Sequence, residues 1–294
     1  MKKLLLVCAV FLSCGKPAPS AIEPVDPPAD VEQKFWEAVK RFDDIVEDEG
    51  WTVSRDSAGA PQDVGDSLIF SGVAMHALPC EHPSPLFRAF PDGELYRHPS
   101  LRGEPASLDG ALGYMFGVAA KITRCGQSAV WQEPAGKVVE WLSDAGDSLL
   151  PKEFGYVKDA LAHFLGRRGS PSPDRKAFLE AEVASWAQAT VSSKSACYRV
   201  HLGWLTLRTL EMLDDGPSDA GKNAFCAAAS GAEIPVIENW CGRKNLLEWL
   251  NSYQSDVWAY RHQRCAGWEQ PDGHGWRQPG VDYLLGLREA FKLK

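Results

Sequence analysis

The reading of the fold turns on residues 54–80, SRDSAGAPQDVGDSLIFSGVAMHALPC, and residues 92–117, DGELYRHPSLRGEPASLDGALGYMFG. Each segment ends a polar, glycine-containing loop with an aspartate and then opens an apolar helix: Gly65-Asp66-Ser67-Leu68 in the first, Ser107-Leu108-Asp109-Gly110 in the second. The same design returns at Pro279-Gly280-Val281-Asp282-Tyr283-Leu284-Leu285-Gly286. Three such helices standing side by side would gather Asp66, Asp109 and Asp282 on one face. Gly110, Gly113 and Gly117 interrupt the apolar stripe of the second helix. Glycine inside a helix costs about 0.5–1 kcal/mol relative to alanine, so three together predict close backbone approach by another helix or a ligand.

Outward from that stretch the pattern stays helical. Val31, Phe35, Trp36, Val39, Phe42 and Ile45 recur at three- and four-residue spacing, and Gly50 supplies a stop. Helices are expected over Asp66–Leu78, ending before Pro79, and over Ser107–Thr123. Further helices are expected over Pro134–Leu149, Glu153–Leu165, Asp174–Val191, Cys197–Leu213, Ser218–Ala229, Arg243–Tyr253 and Val281–Lys292. Pro134 is read as the first residue of its helix. No stretch alternates apolar and polar residues for long, so the chain reads as all-α, with Thr52–Gly65 a loop. Tyr96-Arg97-His98 before Asp109 is echoed by Tyr260-Arg261-His262 before Asp282, and more loosely by Tyr198-Arg199-Val200-His201, as in an array of helical hairpins.

At 294 residues and 45% hydrophobic content the chain can bury a sizeable core. The formal charge of −8 becomes −10 without the first residues, which hold Lys2 and Lys3 and no acid. With no basic run longer than Arg167-Arg168, nucleic acid is not an expected partner. Lys2-Lys3 followed by the apolar run Leu4–Leu12 reads as an export signal, too short to span a bilayer. The run ends in Phe11-Leu12-Ser13-Cys14, which resembles the lipobox of bacterial lipoproteins. That resemblance implies a signal peptide over residues 1–13 and lipidation of Cys14. It makes the lipid bilayer a partner through Cys14 and, with Gly15 next, favours the outer membrane of the cell envelope. Residues 14–30, with prolines at 17, 19, 24, 27 and 28, read as an extended tether, and 31–294 as a single helical domain.

Six cysteines remain beyond Cys8 and Cys14: Cys80, Cys125, Cys197, Cys226, Cys241 and Cys265. An even number in an exported chain fits disulfides better than metal ligation, and no C-x-x-C spacing occurs. Local loops suggest Cys80–Cys125, with Cys226–Cys241 or Cys241–Cys265. His262, Glu269, Asp272 and His274 lack the tight spacing of a metal site, so neither metal nor cofactor is expected.

Asp66-Ser67-Leu68, the run from Asp92-Gly93 to Tyr96-Arg97-His98-Pro99, Asp109-Gly110-x-Leu112-Gly113 and Asp282-x-Leu284-x-Gly286 together resemble (α/α) toroids. These are the folds of six-hairpin glycosidases and of polysaccharide lyases. The resemblance implies a helical-hairpin (α/α) toroid with long loops at one end, incomplete because about ten helices are visible rather than twelve. It also implies a cleft at the inner-helix mouths that binds or cleaves a poly- or oligosaccharide. Glycoside hydrolysis uses two carboxyl groups, so Asp66 and Asp109 would carry acid–base work with His98. Tyr96, Arg97, Arg261, His262 and Asp282 would hold the glycan, with Trp268 and Trp276 as stacking platforms. Glu238, in Pro235-Val236-Ile237-Glu238-Asn239-Trp240-Cys241, is the alternative acid.

A structural reading stands beside each of these roles. Helix-start aspartates cap backbone N–H groups, Arg97 and Arg261 pair with them to pin the loops, and His201 is a core histidine. On that reading the chain is a non-catalytic structural or protein-binding envelope lipoprotein.

Overall fold

A computed structural model describes residues 30–43, 50–55, 61–82, 84, 86, 90–104, 106–126, 129–145, 149–193, 198–232, 234–243 and 285–289. Helix dominates them: α1 (Val31–Asp43), α2 (Ser67–Ala77), α3 (Leu108–Cys125), α4 (Ala129–Asp144), α5 (Gly155–Phe164), α6 (Pro173–Ser193), α7 (Tyr198–Met212), α8 (Asp219–Ala228) and α9 (Pro235–Trp240). Residues 285–289 are also helical. The all-α expectation therefore holds, with one small departure. Ser54–Arg55 pairs antiparallel with Pro61–Asp63 inside the stretch read as a loop.

The centre of the molecule is the pair α2 and α3. Every residue of α2 is buried, as is α3 from Gly110 to Ile122. A helix apolar on all sides belongs in a core, and each large side chain so buried contributes roughly 1.5–3 kcal/mol. The two helices run parallel, because contacts advance together along both: Leu68 lies against Gly110, Ile69 against Gly113, and Gly72 against Gly113 and Gly117. Cys80–Cys125 then closes the same end of both. The expected close approach is real and belongs to a neighbouring helix. A Cβ at Gly72 would stand 2.0 Å from the Gly113 carbonyl oxygen, and one at Gly117 would stand 2.5 Å from that of Gly72.

Around this pair the later helices turn back on one another. In α6 and α7, Val183 faces Gly203, while Trp186 carries the Arg199 guanidinium 5.7 Å from its ring centre. Those contacts run in opposite directions along the chain and define an antiparallel hairpin. The start of α8 is built by Ser218, whose hydroxyl accepts the Gly221 N–H at 3.0 Å. Glu180 of α6, itself buried, accepts the Ser218 backbone N–H at 2.8 Å and its hydroxyl at 2.6 Å.

One helix boundary departs from expectation. α4 begins at Ala129, so Pro134 lies inside it rather than at its start. Its missing N–H leaves a gap in the ladder. The extra turn places Trp131 5.4 Å from the Lys121 ammonium, a contact that rewards the extension. The expected helix Arg243–Tyr253 lies, from residue 244 onward, outside the described residues, as does most of Val281–Lys292.

Candidate functional site

Parallel α2 and α3 carry their first turns to a common end, and Asp66 and Asp109 go with them, both half-buried. The capping expectation fails at Asp66 and holds in part at Asp109. Asp66 occupies the N-cap position of α2, yet its side chain makes no capping bond. At α3 the cap is Ser107, whose hydroxyl accepts the Gly110 N–H at 3.3 Å. Asp109 falls in the first turn, accepts that same N–H at 3.1 Å, and meets the positive end of the helix dipole.

The Tyr96-Arg97-His98 loop packs one to two turns inside that end. Tyr96 is buried, stacked on Trp51 at 6.1 Å, tilted on Phe90 at 4.8 Å, and its hydroxyl accepts from Arg102 at 3.3 Å. His98 is buried too. Its Nδ1 accepts the Ser100 N–H at 3.2 Å and lies 2.8 Å from the Ser100 hydroxyl, capping the short turn Pro99–Leu101. Trp51 meets the His98 ring edge-on at 5.7 Å. The cluster is tied to both central helices. Thr52 donates its N–H to Ser71 of α2 at 3.1 Å, and Phe90 meets Tyr114 of α3 at 5.6 Å. Among the described residues no ion pair joins Arg97 to Asp66 or Asp109, so the expected loop pin is not built from Arg97.

Glu238 does not sit as a lone desolvated acid. Arg243 grips its carboxylate with a two-bond fork, Nε to Oε2 at 2.8 Å and a terminal nitrogen to Oε1 at 2.7 Å, and also donates to the Cys226 carbonyl. The fork spans the Cys226–Cys241 disulfide, which selects between the two pairings open to Cys241. Cys80–Cys125 is formed as expected. Cys197 and Cys265 lie outside the described residues, as do Arg261, His262, Trp268, Trp276 and Asp282. His201 is buried, and its ring stacks 5.7 Å from Trp204.

The densest polar chemistry lies at the opposite end of α2 and escaped the sequence reading. A helix leaves its last carbonyls without internal partners. Here cations supply them. Arg124 donates to the carbonyls of Met75, His76 and Leu78, Arg288 to Ala77 at 2.7 Å, and Lys121 to Pro79, Cys80 and His82 at 3.1, 2.8 and 3.3 Å. Burial pulls the Lys121 ammonium down to about 8, with the Arg124 charge adding to the effect. Beside this terminus His76 Nε2 stands 2.5 Å from Glu289, and Arg208 reaches the same carboxylate at 3.3 Å. Arg208 also binds Glu211 at 2.6 Å, and Glu211 accepts from the Trp240 indole at 3.0 Å. Burial lowers the His76 pKa, against the opposing pull of the Glu289 carboxylate. Burial alone would raise that of Glu289, but bonds to His76 and the Arg208 charge bring it down to about 2.

Sequence offers one signal for this cluster: Lys121 and Arg124 stand inside and at the end of an otherwise apolar helix. The pairing of His76 with Glu289 spans 213 residues and has no local signature.

The fold and these clusters define a helical protein whose central parallel pair is tied by the Cys80–Cys125 disulfide, with the last carbonyls of α2 satisfied by Lys121, Arg124 and Arg288. No protein-family model matches the chain, and no curated protein or solved structure shows significant similarity to it.

Proposed function

We propose that this is a lipid-anchored protein of the bacterial cell envelope whose helical body serves as a structural or binding module rather than as an enzyme. One observation carries the reading: side chains expected to do chemistry are spent on their own scaffold. His98 Nδ1 closes a turn with Ser100, the Tyr96 hydroxyl accepts from Arg102, and Glu238 is forked by Arg243. A general acid or base needs an open path to the proton it moves. Lys2-Lys3, the apolar run Leu4–Leu12 and Ser13-Cys14 support export and anchoring.

A second reading is favoured by the parallel packing of α2 and α3, which supports a carboxylate pair at one end of the helices: glycan binding or hydrolysis by Asp66 and Asp109. Reducing-sugar release and glycan-array binding by the full chain carrying Cys14→Ser separate the two. The structural reading expects no sugar release from any polysaccharide tried. Release that disappears in both Asp66→Asn and Asp109→Asn overturns it in favour of glycoside hydrolysis.

A further inference from the structure

The chain is acidic overall, yet residues 158–176 carry five lysines and arginines against two aspartates, Asp159 and Asp174. The fold draws most of that charge to one place. Lys158, Arg168 and Arg175, from α5, the α5–α6 connection and the first turn of α6, all converge on the single carboxylate of Asp159. Three cations on one anion leave positive charge in excess. Arg167 sits in the same connection and meets only an exposed carboxylate, Glu140, at 3.5 Å. Lys176 is drawn away to Asp215 at 2.8 Å, and His163 Nδ1 lies 3.2 Å from the Arg168 carbonyl.

The arginines are exposed, and exposed ion pairs are worth little, so their guanidinium forks can be taken over by a better anion. Phosphate is the anion that such forks fit in two-bond fashion. Phe178, 55% exposed, follows Arg175 by three residues and therefore shares its face of α6. Inorganic polyphosphate has no use for a bare aromatic ring, whereas a bilayer surface takes cations at its phosphates and an aromatic side chain among its headgroups.

We infer that the face formed by Arg167, Arg168, Arg175 and Phe178 docks on anionic phospholipid headgroups, laying the helical body against a membrane. This contact is separate from the one expected at Cys14 and does not depend on it.

Vesicle flotation of the full chain carrying Cys14→Ser tests the inference without the lipid. The vesicles are phosphatidylcholine alone, or phosphatidylcholine with roughly one-third phosphatidylglycerol. The anionic vesicles should retain about tenfold more protein at low salt, and the excess should vanish as the Debye length shrinks. Arg167→Gln/Arg168→Gln/Arg175→Gln should abolish the excess, although it shares the same leader residues, and Phe178→Ser should reduce it. Arg167→Gln alone leaves the Asp159 cluster intact and should give a partial loss, which decides the matter if the triple variant misfolds. Equal retention on both vesicles, or an unchanged excess in the arginine variants, overturns the inference. So does capture by inorganic polyphosphate without capture by anionic vesicles.

Discussion

His76, in the last turn of α2, places its Nε2 2.5 Å from a carboxylate oxygen of Glu289, 213 residues further along the chain. The contact joins the earliest buried helix of the core to the helical residues 285–289, and Arg208 of α7 anchors the same carboxylate from the other side. Three segments distant in sequence therefore meet at one buried charge. Removing Glu289 takes the partner from His76 and leaves Arg208 with Glu211 alone, which makes the carboxylate a point where the three segments are coupled.

The pH dependence of stability follows from this cluster. The folded-state pKa of Glu289 is about 2 against an ordinary 4.5, so its stabilisation is complete above 4.5 and is lost as pH falls toward 2. That shift corresponds to about 3 kcal/mol. His76 acts in the same direction. Its folded pKa is depressed below 6.5, so the unfolded chain takes up the proton first and stability begins to fall below pH 6.5. Thermal melts across this range should show Tm dropping with acidification. In Glu289→Gln the drop below pH 4.5 should largely disappear, with a lower Tm at neutral pH.

Backbone contact between α2 and α3 makes the glycines there intolerant. A Cβ at Gly113 would lie 2.5 Å from the Ile69 Cα, and one at Gly72 closer still to backbone. Gly72→Ala and Gly113→Ala should each cost about 1–3 kcal/mol or more by forcing the helices apart. In a solvent-facing helix the same change would stabilise by about 0.5–1 kcal/mol. Urea unfolding midpoints measure the difference, and the sign alone distinguishes packed from exposed glycine.

The fork joins a buried Glu238 carboxylate to a half-buried Arg243 guanidinium, and its rupture leaves that carboxylate without its partner. Arg243→Met should destabilise by about 1–3 kcal/mol. A paired change, Glu238→Met with Arg243→Met, should recover most of that loss, since both charges are then gone. A double-mutant cycle in chemical denaturation checks the coupling. If Glu238 were instead a proton donor to substrate, Glu238→Gln would remove an activity while sparing the fold.

Disulfide loops of different length should differ in worth. Cys80–Cys125 closes 45 residues and Cys226–Cys241 closes 15. Chain-entropy arguments give about 4 kcal/mol for the first and about 3 for the second. Cys80→Ala/Cys125→Ala should cost more for a second reason as well, because the bridge holds the carbonyl-lined turn that receives Lys121. Paired-alanine variants compared by calorimetry give the order.

Helix class, most helix limits and the intimate packing at Gly113 and Gly117 could be read from sequence because they depend on periodicity and on the size of single side chains. Cys80–Cys125 was legible only as a local-loop pairing; the structure adds that its two cysteines stand at or just past the ends of helices the glycines bring side by side. The candidate site was legible only as residue types. Whether Asp109 or Ser107 caps α3 depends on one turn of backbone geometry, and both have capping side chains. Whether Glu238 is a desolvated acid or half of an ion pair depends on Arg243, whose approach requires the chain to turn back after α9.

Sequence alone determined that this chain would form apolar, closely approaching helices, and it supplied the expectation of an exported, cross-linked protein, because those properties are written in local spacing and composition. Tertiary structure alone decided where the charges go. The energy of a buried histidine, lysine or glutamate is set by what surrounds it in space, and those neighbours, Glu289 for His76 and the Pro79–His82 carbonyls for Lys121, come from 213 and about 40 residues away.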